Sequence, residues 1–316
     1  MIREESNLAV LFPGQGSQSV GMLAELADLH PCVHAVFADA SDVLGYDLWD
    51  IVKNGPEEQL NSTRYTQPAM LAAGVAIWRV WCEQTETRVS WMAGHSLGEY
   101  TALVASGSLD FRDGIRLVAE RARLMQEAVP SDVGAMAAVL GLGDAEVLTV
   151  CAEASSGESL VSAANFNAPG QVVVAGNREA VARAVDLAKA SGAKRAVVLP
   201  VSVPSHCPLM KQAAEEFRKV IEAVPITPSG VKVVHNVDVK FQSDEGLIRE
   251  ALVQQLYGSV RWADTIRYLA ENGVDHFVEM GPGRVLAGLN RRIVPDAQTE
   301  AVYDASSLAK ARGFIL

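Results

Sequence analysis

The stretch Val89-Ser90-Trp91-Met92-Ala93-Gly94-His95-Ser96-Leu97-Gly98-Glu99-Tyr100 decides how this chain is read. An apolar run, Val89 to Ala93, stops at Gly94, and a helical pattern, Glu99 to Ala105, starts just past Gly98. Between them Ser96 sits in a Gly-x-Ser-x-Gly motif with a strand before it and a helix after it, the setting of a nucleophile elbow. A serine hydroxyl is a weak nucleophile, so it needs exposure at the apex of a sharp turn and a base beside it. Glycines two positions either side let strand and helix approach closely. The following helix aims free N–H groups and a positive dipole end at developing negative charge. The plain alternative is a serine in an ordinary glycine-rich turn.

Upstream, Asn7 to Phe12 reads as a buried strand that ends in Phe12-Pro13-Gly14-Gln15-Gly16-Ser17-Gln18, with a helix from about Val20. This loop fails the dinucleotide motif, because Ser19 stands where Gly-x-Gly-x-x-Gly needs glycine, and no Gly-Lys-Ser/Thr follows for a P-loop. Helical patterns cover Pro31 to Leu44 and Thr66 to Glu83, the latter expected in the core beside the elbow strand. Downstream, Asp110 to Val129 is a helix, broken by Val129-Pro130-Ser131-Asp132.

The texture then changes. Strands at Ala135 to Leu142, Ser159 to Asn165, Gln171 to Ala175 and Lys194 to Leu199 alternate with helices at Asp144 to Ser155 and Arg178 to Ala190, and Phe166 to Gly170 reads as a turn. The order β-α-β-β-α-β is ferredoxin-like. It predicts a small domain over residues 131–201 inserted into a discontinuous large domain, 1–130 and 202–316. The large domain resumes at Val203-Pro204-Ser205-His206. Then come a helix from Pro208 to Ala223, a strand Val231 to Asn236, helices Glu245 to Tyr257 and Trp262 to Asn272, and a strand Val274 to Glu279. Gly281-Pro282-Gly283 leads into a last helix ending at Ile293. Strands alternating with helices predict an α/β fold with a mostly parallel sheet covered on both faces. Gln15, Ser96 and His206 are expected at C-terminal strand ends, where such sheets hold their sites.

With 316 residues, 49% of them apolar and 21% charged, the chain can bury a substantial core and is not a disordered one. No apolar run approaches the ~20 residues of a membrane span. The charged stretch Met1 to Asn7 does not read as a signal peptide, so the expected address is cytoplasmic. Cys32, Cys82, Cys151 and Cys207 are widely spaced and form no metal or disulfide pattern. A net charge of −11 disfavours nucleic acid and anionic membrane as partners. An acidic protein partner would need a local basic patch.

Ser96 needs a base. His95 adjoins it and must point elsewhere, and His30 and His34 lie on a helical pattern. His206 and His235 both read as strand ends, and position does not choose between them, though Pro204 and Pro208 fix the loop around His206. A hydrolase triad would place an acid between Ser96 and His206. Of Asp110, Asp113, Asp132, Asp144 and Asp186, most sit near helix starts, Asp186 lies mid-helix and none ends a main-domain strand, which points to a dyad whose histidine is oriented by a backbone carbonyl.

Arg121 is the second informative residue. Arg116, Glu120, Arg123 and Glu127 form the polar face of its helix, and Arg121 lies about 100° away among Leu117, Leu124 and Met125. An arginine there needs either an internal ion pair with one of the 38 acidic residues or a role as a fork for a substrate carboxylate.

These pieces together resemble the bacterial malonyl-CoA:acyl-carrier-protein transacylases over nearly the whole chain. The carrying motifs are Phe12 to Gln18, Gly94 to Tyr100, Arg121 in Arg-Ala-Arg-Leu-Met-Gln-Glu-Ala, Val203-Pro204-Ser205-His206, and Gln255 ahead of Val260-Arg261-Trp262. The resemblance implies a large α/β-hydrolase-like domain with a ferredoxin-like insertion. It implies Ser96 as nucleophile and His206 as base. Backbone N–H groups of Gln15 and Leu97 would form the oxyanion hole, the carbonyl at Gln255 would orient the histidine, and Arg121 would clamp the malonyl carboxylate. The implied reaction is ping-pong transfer of malonyl from malonyl-CoA to an acyl carrier protein for fatty-acid synthesis, with no cofactor and no metal. Competing readings are a serine thioesterase or hydrolase, a polyketide-pathway acyltransferase with another extender unit, and a non-catalytic carrier-docking scaffold. Lys189, Lys194, Arg195 and Arg284 are the basic candidates for carrier docking, against plain solvated charges.

Overall fold

A computed structural model describes residues 7–130, 132–201 and 203–315. Most of the Met1 to Asn7 stretch, and Ser131 and Ser202 at the two ends of the expected insertion, lie outside the described residues.

Five strands form one sheet: β1 (Leu8–Phe12), β2 (Trp91–Gly94), β7 (Lys232–Val234), β8 (His276–Met280) and β9 (Gln298–Val302), in the order β7-β2-β1-β8-β9. Every neighbouring pair is parallel. Leu8 to Phe12 are all buried, as expected of a strand covered on both faces. Its register sets Phe12 opposite Gly94 and Leu11 opposite Glu279, so the chain leaves β1, β2 and β8 at adjoining points. That edge is where a parallel sheet gathers a site.

One face of the sheet packs against the helices Pro31–Leu44, Thr63–Gln84 and Phe111–Ala128. The other is covered by Trp262–Glu271 and Val285–Ile293. The helix Thr63–Gln84 is buried on nearly every side, and Gly74 lets it close on Thr101 of the helix Gly98–Ala105. Its tight contact is therefore with the helix that follows the elbow.

The second sheet is antiparallel, with β3 (Gly134–Leu140), β4 (Val161–Ala168), β5 (Gln171–Asn177) and β6 (Arg195–Val198) in the order β4-β5-β3-β6. The helices Asp144–Ala154 and Arg178–Ala190 cover it and share an apolar core with it, separate from the cores of the parallel sheet. β4 docks on the main body through reciprocal bonds: Val260 N–H donates to Ala164 O at 2.9 Å, and Phe166 N–H donates to Val260 O at 2.9 Å.

Several sequence expectations need correction. Phe166 to Ala168 extend β4, and the turn is only Pro169-Gly170, because the reciprocal bonds to Val260 keep the strand extended. The helix expected from about Val20 starts at Ala24, after Leu23 in a left-handed conformation. The helix expected over Pro208 to Ala223 begins as a 3₁₀ turn, Pro208–Met210, and continues as Lys211–Ile221. The helix ending at Ile293 is not the last element, since β9 and the helix Ala305–Ile315 follow. His206 does not end a strand: residues 199–201 and 203–207 carry no strand, and His206 lies in loop beyond β6. Two short helices, Leu48–Asn54 and Glu57–Asn61, were not expected.

Candidate active site

Ser96 takes the left-handed backbone conformation, φ 52°, that puts its hydroxyl at the apex of the turn after β2. The turn is possible only with glycine at both flanks. A Cβ on Gly94 would lie 1.9 Å from the backbone of Gly98, and one on Gly98 would lie 2.0 Å from Phe12 O. The Pro13–Gly16 loop lies just as close, because a Cβ on Gly14 would fall 2.6 Å from His95 O. Asn236, at the end of β7, clasps the turn from behind: its Oδ1 accepts from Ser96 N–H at 2.7 Å and its Nδ2 donates to Gly94 O at 2.7 Å.

Distance separates the two candidate histidines. His206 Nε2 is 2.7 Å from Ser96 Oγ, and His206 Nδ1 is 2.7 Å from Gln255 O. A carbonyl can only accept, so Nδ1 carries the proton and Nε2 is left as the acceptor for the serine O–H. His206 itself sits at φ 61°, and its N–H donates to Leu256 O at 3.0 Å. Burial first, and the Arg121 charge second, hold its pKa down to about 3. The imidazole therefore rests neutral, as a base must. His235, the other candidate, donates from Nδ1 to buried Glu99 at 2.7 Å. His95 points away from the hydroxyl, its Nε2 within 2.8 Å of Asn167 Oδ1 on β4.

None of the five aspartates that could have completed a triad bonds His206. Asp110 caps the helix Phe111–Ala128, Asp113 pairs with Arg116, and Asp186 with Lys189. Asp132 and Asp144 likewise make no bond to it, since its two ring nitrogens face Ser96 Oγ and the Gln255 carbonyl.

Arg121 is buried and, among the described residues, has no carboxylate within 4.0 Å. The internal ion pair is thus excluded as its explanation. Its Nη1 donates to Gln67 Oε1 at 2.9 Å, and its Nη2 donates to Gln255 Oε1 at 2.9 Å and to Ser96 Oγ at 3.2 Å. The guanidinium also lies 5.3 Å from the centre of the Tyr100 ring. Arg116, Glu120, Arg123 and Glu127 pair along the solvent face of the same helix, as its polar stripe predicts.

A cavity of about 660 Å³ opens over Ser96 between the two sheets. Gln15, Ser96 and His206 form its floor, Met136, Asn167 and Val173 one wall, and Val285, Leu286 and Leu289 another. The second wall is set by Glu279, buried at the end of β8, whose carboxylate accepts from the amides of Leu286 at 3.1 Å and Ala287 at 2.8 Å. Burial pushes that carboxyl up to about 7. Leu97 precedes the helix Gly98–Ala105, whose first amides, those of Gly98, Glu99 and Tyr100, are not free as expected but donate to the carbonyls of His95, Ser96 and Leu97. Gln15 stands across from it on the glycine loop, its side chain tied to Gln67 at 3.3 Å and Thr63 at 3.4 Å.

Arg284 immediately precedes the cavity-lining Val285, whereas Lys189, Lys194 and Arg195 lie away from the cavity on the second sheet and its helix. Cys207, next to the base, is buried, donates to Pro204 O, and has its thiol pushed up to about 12 by burial. Among the described residues no group of three His, Cys, Asp or Glu side chains could hold a metal ion. No described helix is long and apolar enough to cross a membrane. Sequence reasoning missed Gln67, Asn167 and Asn236, and gave Glu99 no role beyond its motif. Only fold-brought proximity reveals these amides.

The chain as a whole is similar to known proteins. The family model described as "Acyl transferase domain" matches residues 10–306. The malonyl CoA-acyl carrier protein transacylase of Escherichia coli (strain K12) is 52% identical over 306 residues, covering 97% of this chain and 99% of that one. The enzyme of the same name from Haemophilus influenzae is 53% identical over 309 residues, covering 98% and 99%. A solved malonyl-transacylase in complex with a type II PKS acyl-carrier protein superposes with a TM-score of 0.95 at 55% identity, covering 97% of this chain and 99% of that one.

Proposed function

The chain belongs to the acyl transferase domain family, and on that premise we propose that it moves malonyl groups from malonyl-CoA to the thiol of an acyl carrier protein through an acyl-enzyme on Ser96. The observation that carries this reading is the double bonding of one oxygen. Ser96 Oγ faces the base His206 at 2.7 Å and the guanidinium Arg121 at 3.2 Å. A nucleophile with a fixed cation beside it suits an acyl group that carries its own carboxylate.

The first half-reaction forms the ester. His206 Nε2 takes the Ser96 proton as Oγ attacks the thioester carbon. The oxyanion rests on the amides of Gln15 and Leu97, each worth about 3–4 kcal/mol in comparable sites. Arg121 holds the distal carboxylate. The C–S bond breaks, the proton passes from His206 to the departing coenzyme A sulfur, and malonyl-Ser96 remains. In the second half-reaction the carrier thiol gives its proton to His206 and its sulfur attacks the ester. Ser96 leaves with the proton restored. The Gln255 carbonyl keeps His206 in the right tautomer throughout. Ser96, His206, Arg121 and two amides supply every group these steps need, so the reading includes no cofactor.

We read the antiparallel sheet and its two helices as a ferredoxin-like domain, residues 131–201, inserted into a hydrolase-like domain, 1–130 and 202–316. Its separate apolar core and its β-α-β-β-α-β order support this. The cavity between the two would shelter the acyl-enzyme from water. Fatty-acid synthesis in the cytoplasm is the setting this reading carries.

The test mixes the protein with malonyl-CoA and an acyl carrier protein bearing its phosphopantetheine. Malonyl-carrier is expected to form faster than free malonate. The reverse would make the protein a thioesterase.

A further inference from the structure

Beneath the reacting groups lies a buried polar layer that acyl transfer itself does not consume. Its hub is Glu99, fully buried in the first turn of the helix after the elbow. Its Oε1 accepts from His235 Nδ1 at 2.7 Å, and its Oε2 accepts from Asn236 N–H at 3.0 Å and from Gln255 Nε2 at 2.8 Å. Gln255 Nε2 also donates to Ser96 O at 2.8 Å. The other end of that carboxamide, Oε1, receives Arg121 Nη2, while the backbone carbonyl of the same residue receives His206 Nδ1. One glutamine thus touches the clamp, the base and the nucleophile's own backbone, and Glu99 determines which way its amide faces.

We propose that Glu99 is a positioning residue which acts through Gln255 to fix both Arg121 and His206. This rests on reading Arg121 as the clamp for the acyl carboxylate. A carboxylate accepts only, so it holds the amide N–H₂ toward itself and the amide oxygen toward Arg121. A flipped amide would set N–H against guanidinium N–H and leave buried donors unpaired, which is costly. The arrangement has a second consequence. Arg121 is anchored on both sides by neutral oxygens, from Gln67 and Gln255, with the Glu99 carboxylate one amide further away. A glutamate in direct contact would occupy the fork and compete with the substrate. The glutamine spacer orients the fork without setting a charge in contact with it.

The readout is the ratio of kcat/KM for malonyl-CoA to that for acetyl-CoA, measured beside kcat and thermal unfolding. Glu99→Leu is expected to lower kcat and to cut the malonyl preference by about tenfold, since loss of the buried acceptor frees the amide. Glu99→Gln keeps an acceptor oxygen for Gln255 and Asn236 and is expected to restore both to within about threefold of the parent. Gln255→Leu retains the backbone carbonyl but breaks the relay, and is expected to reproduce the lost preference. The double variant Glu99→Leu with Gln255→Leu is expected to lose no more preference than Gln255→Leu alone. A folded Glu99→Leu with unchanged preference, or additive losses in the double variant, overturns the proposal. If Glu99→Leu does not fold, an unchanged preference in Gln255→Leu overturns it. A parent protein that forms malonyl-Ser96 without favouring malonyl over acetyl would instead remove the clamp on which the proposal stands.

Discussion

Arg121 Nη2 lies 3.2 Å from Ser96 Oγ, so a buried cation and the nucleophile share one hydrogen bond. The guanidinium is not a distant guide for substrate but part of the first contact layer of the reacting oxygen. It also helps hold the His206 pKa down, second only to burial. On the proposed reading, specificity and basicity are therefore tied to the same side chain.

Removing the guanidinium should change which acyl group is preferred. Arg121→Ala is expected to reduce kcat/KM for malonyl-CoA by about 30-fold to several thousandfold, the equivalent of the ~2–5 kcal/mol lost on truncating a buried charge partner. Acetyl-CoA should be affected far less. Arg121→Lys keeps the charge but not the planar fork and should fall between. Steady-state assays with both thioesters check this, and equal losses for the two would remove Arg121 from the clamp.

The low pKa of His206 fixes the form of the pH profile. With the base neutral above about 3, kcat/KM for acylation should stay level from pH 8 to pH 5, without the limb that an ordinary histidine shows near 6.5. Arg121→Ala removes the second cause of the depression but leaves the burial, so a limb should move upward. Stability follows the same sign. Between 6.5 and 3 the unfolded chain binds a proton that the folded His206 does not, so stability falls as pH falls, by up to about 1.4 kcal/mol per pH unit from this group. Denaturant unfolding at pH 7, 6 and 5 should show that slope in the parent and lose it in His206→Asn.

The elbow glycines offer a structural check. Gly98→Ala would drive a methyl to 2.0 Å from Phe12 O, against the Phe12–Pro13 backbone, and is expected to cost about 3 kcal/mol or more. Gly288→Ala, in the exposed interior of the helix Val285–Ile293 with nothing within 4 Å of the added carbon, should stabilise by about 0.5–1 kcal/mol. Urea midpoints of the two variants separate a geometric role from mere helix propensity.

The residues legible in the sequence are those whose reason is local. Gly94, Ser96 and Gly98 declare a strand–turn–helix by spacing, and Arg121 declares itself by standing off the polar stripe of its own helix. His206 and His235 were indistinguishable because what separates them is 49 or more residues away: Gln255 O faces one, and Glu99 faces the other. Gln67, Asn167 and Asn236 are common polar residues on ordinary elements, and nothing in their neighbourhood foretells the partner across the site. β9 escaped notice because Gln298, Thr299 and Glu300 dilute its apolar pattern. As an edge strand paired only with β8, it needs no continuous apolar run.

In the proposed mechanism Ser96 carries the malonyl group between two thiols. Intact mass of the protein after brief exposure to malonyl-CoA, followed by peptide mapping, tests it most directly. A gain of one malonyl unit is expected on the peptide containing Ser96, with its discharge on adding the carrier thiol and no gain in Ser96→Ala. An unmodified parent protein that still passes malonyl to the carrier, or an adduct that persists in Ser96→Ala, would contradict it.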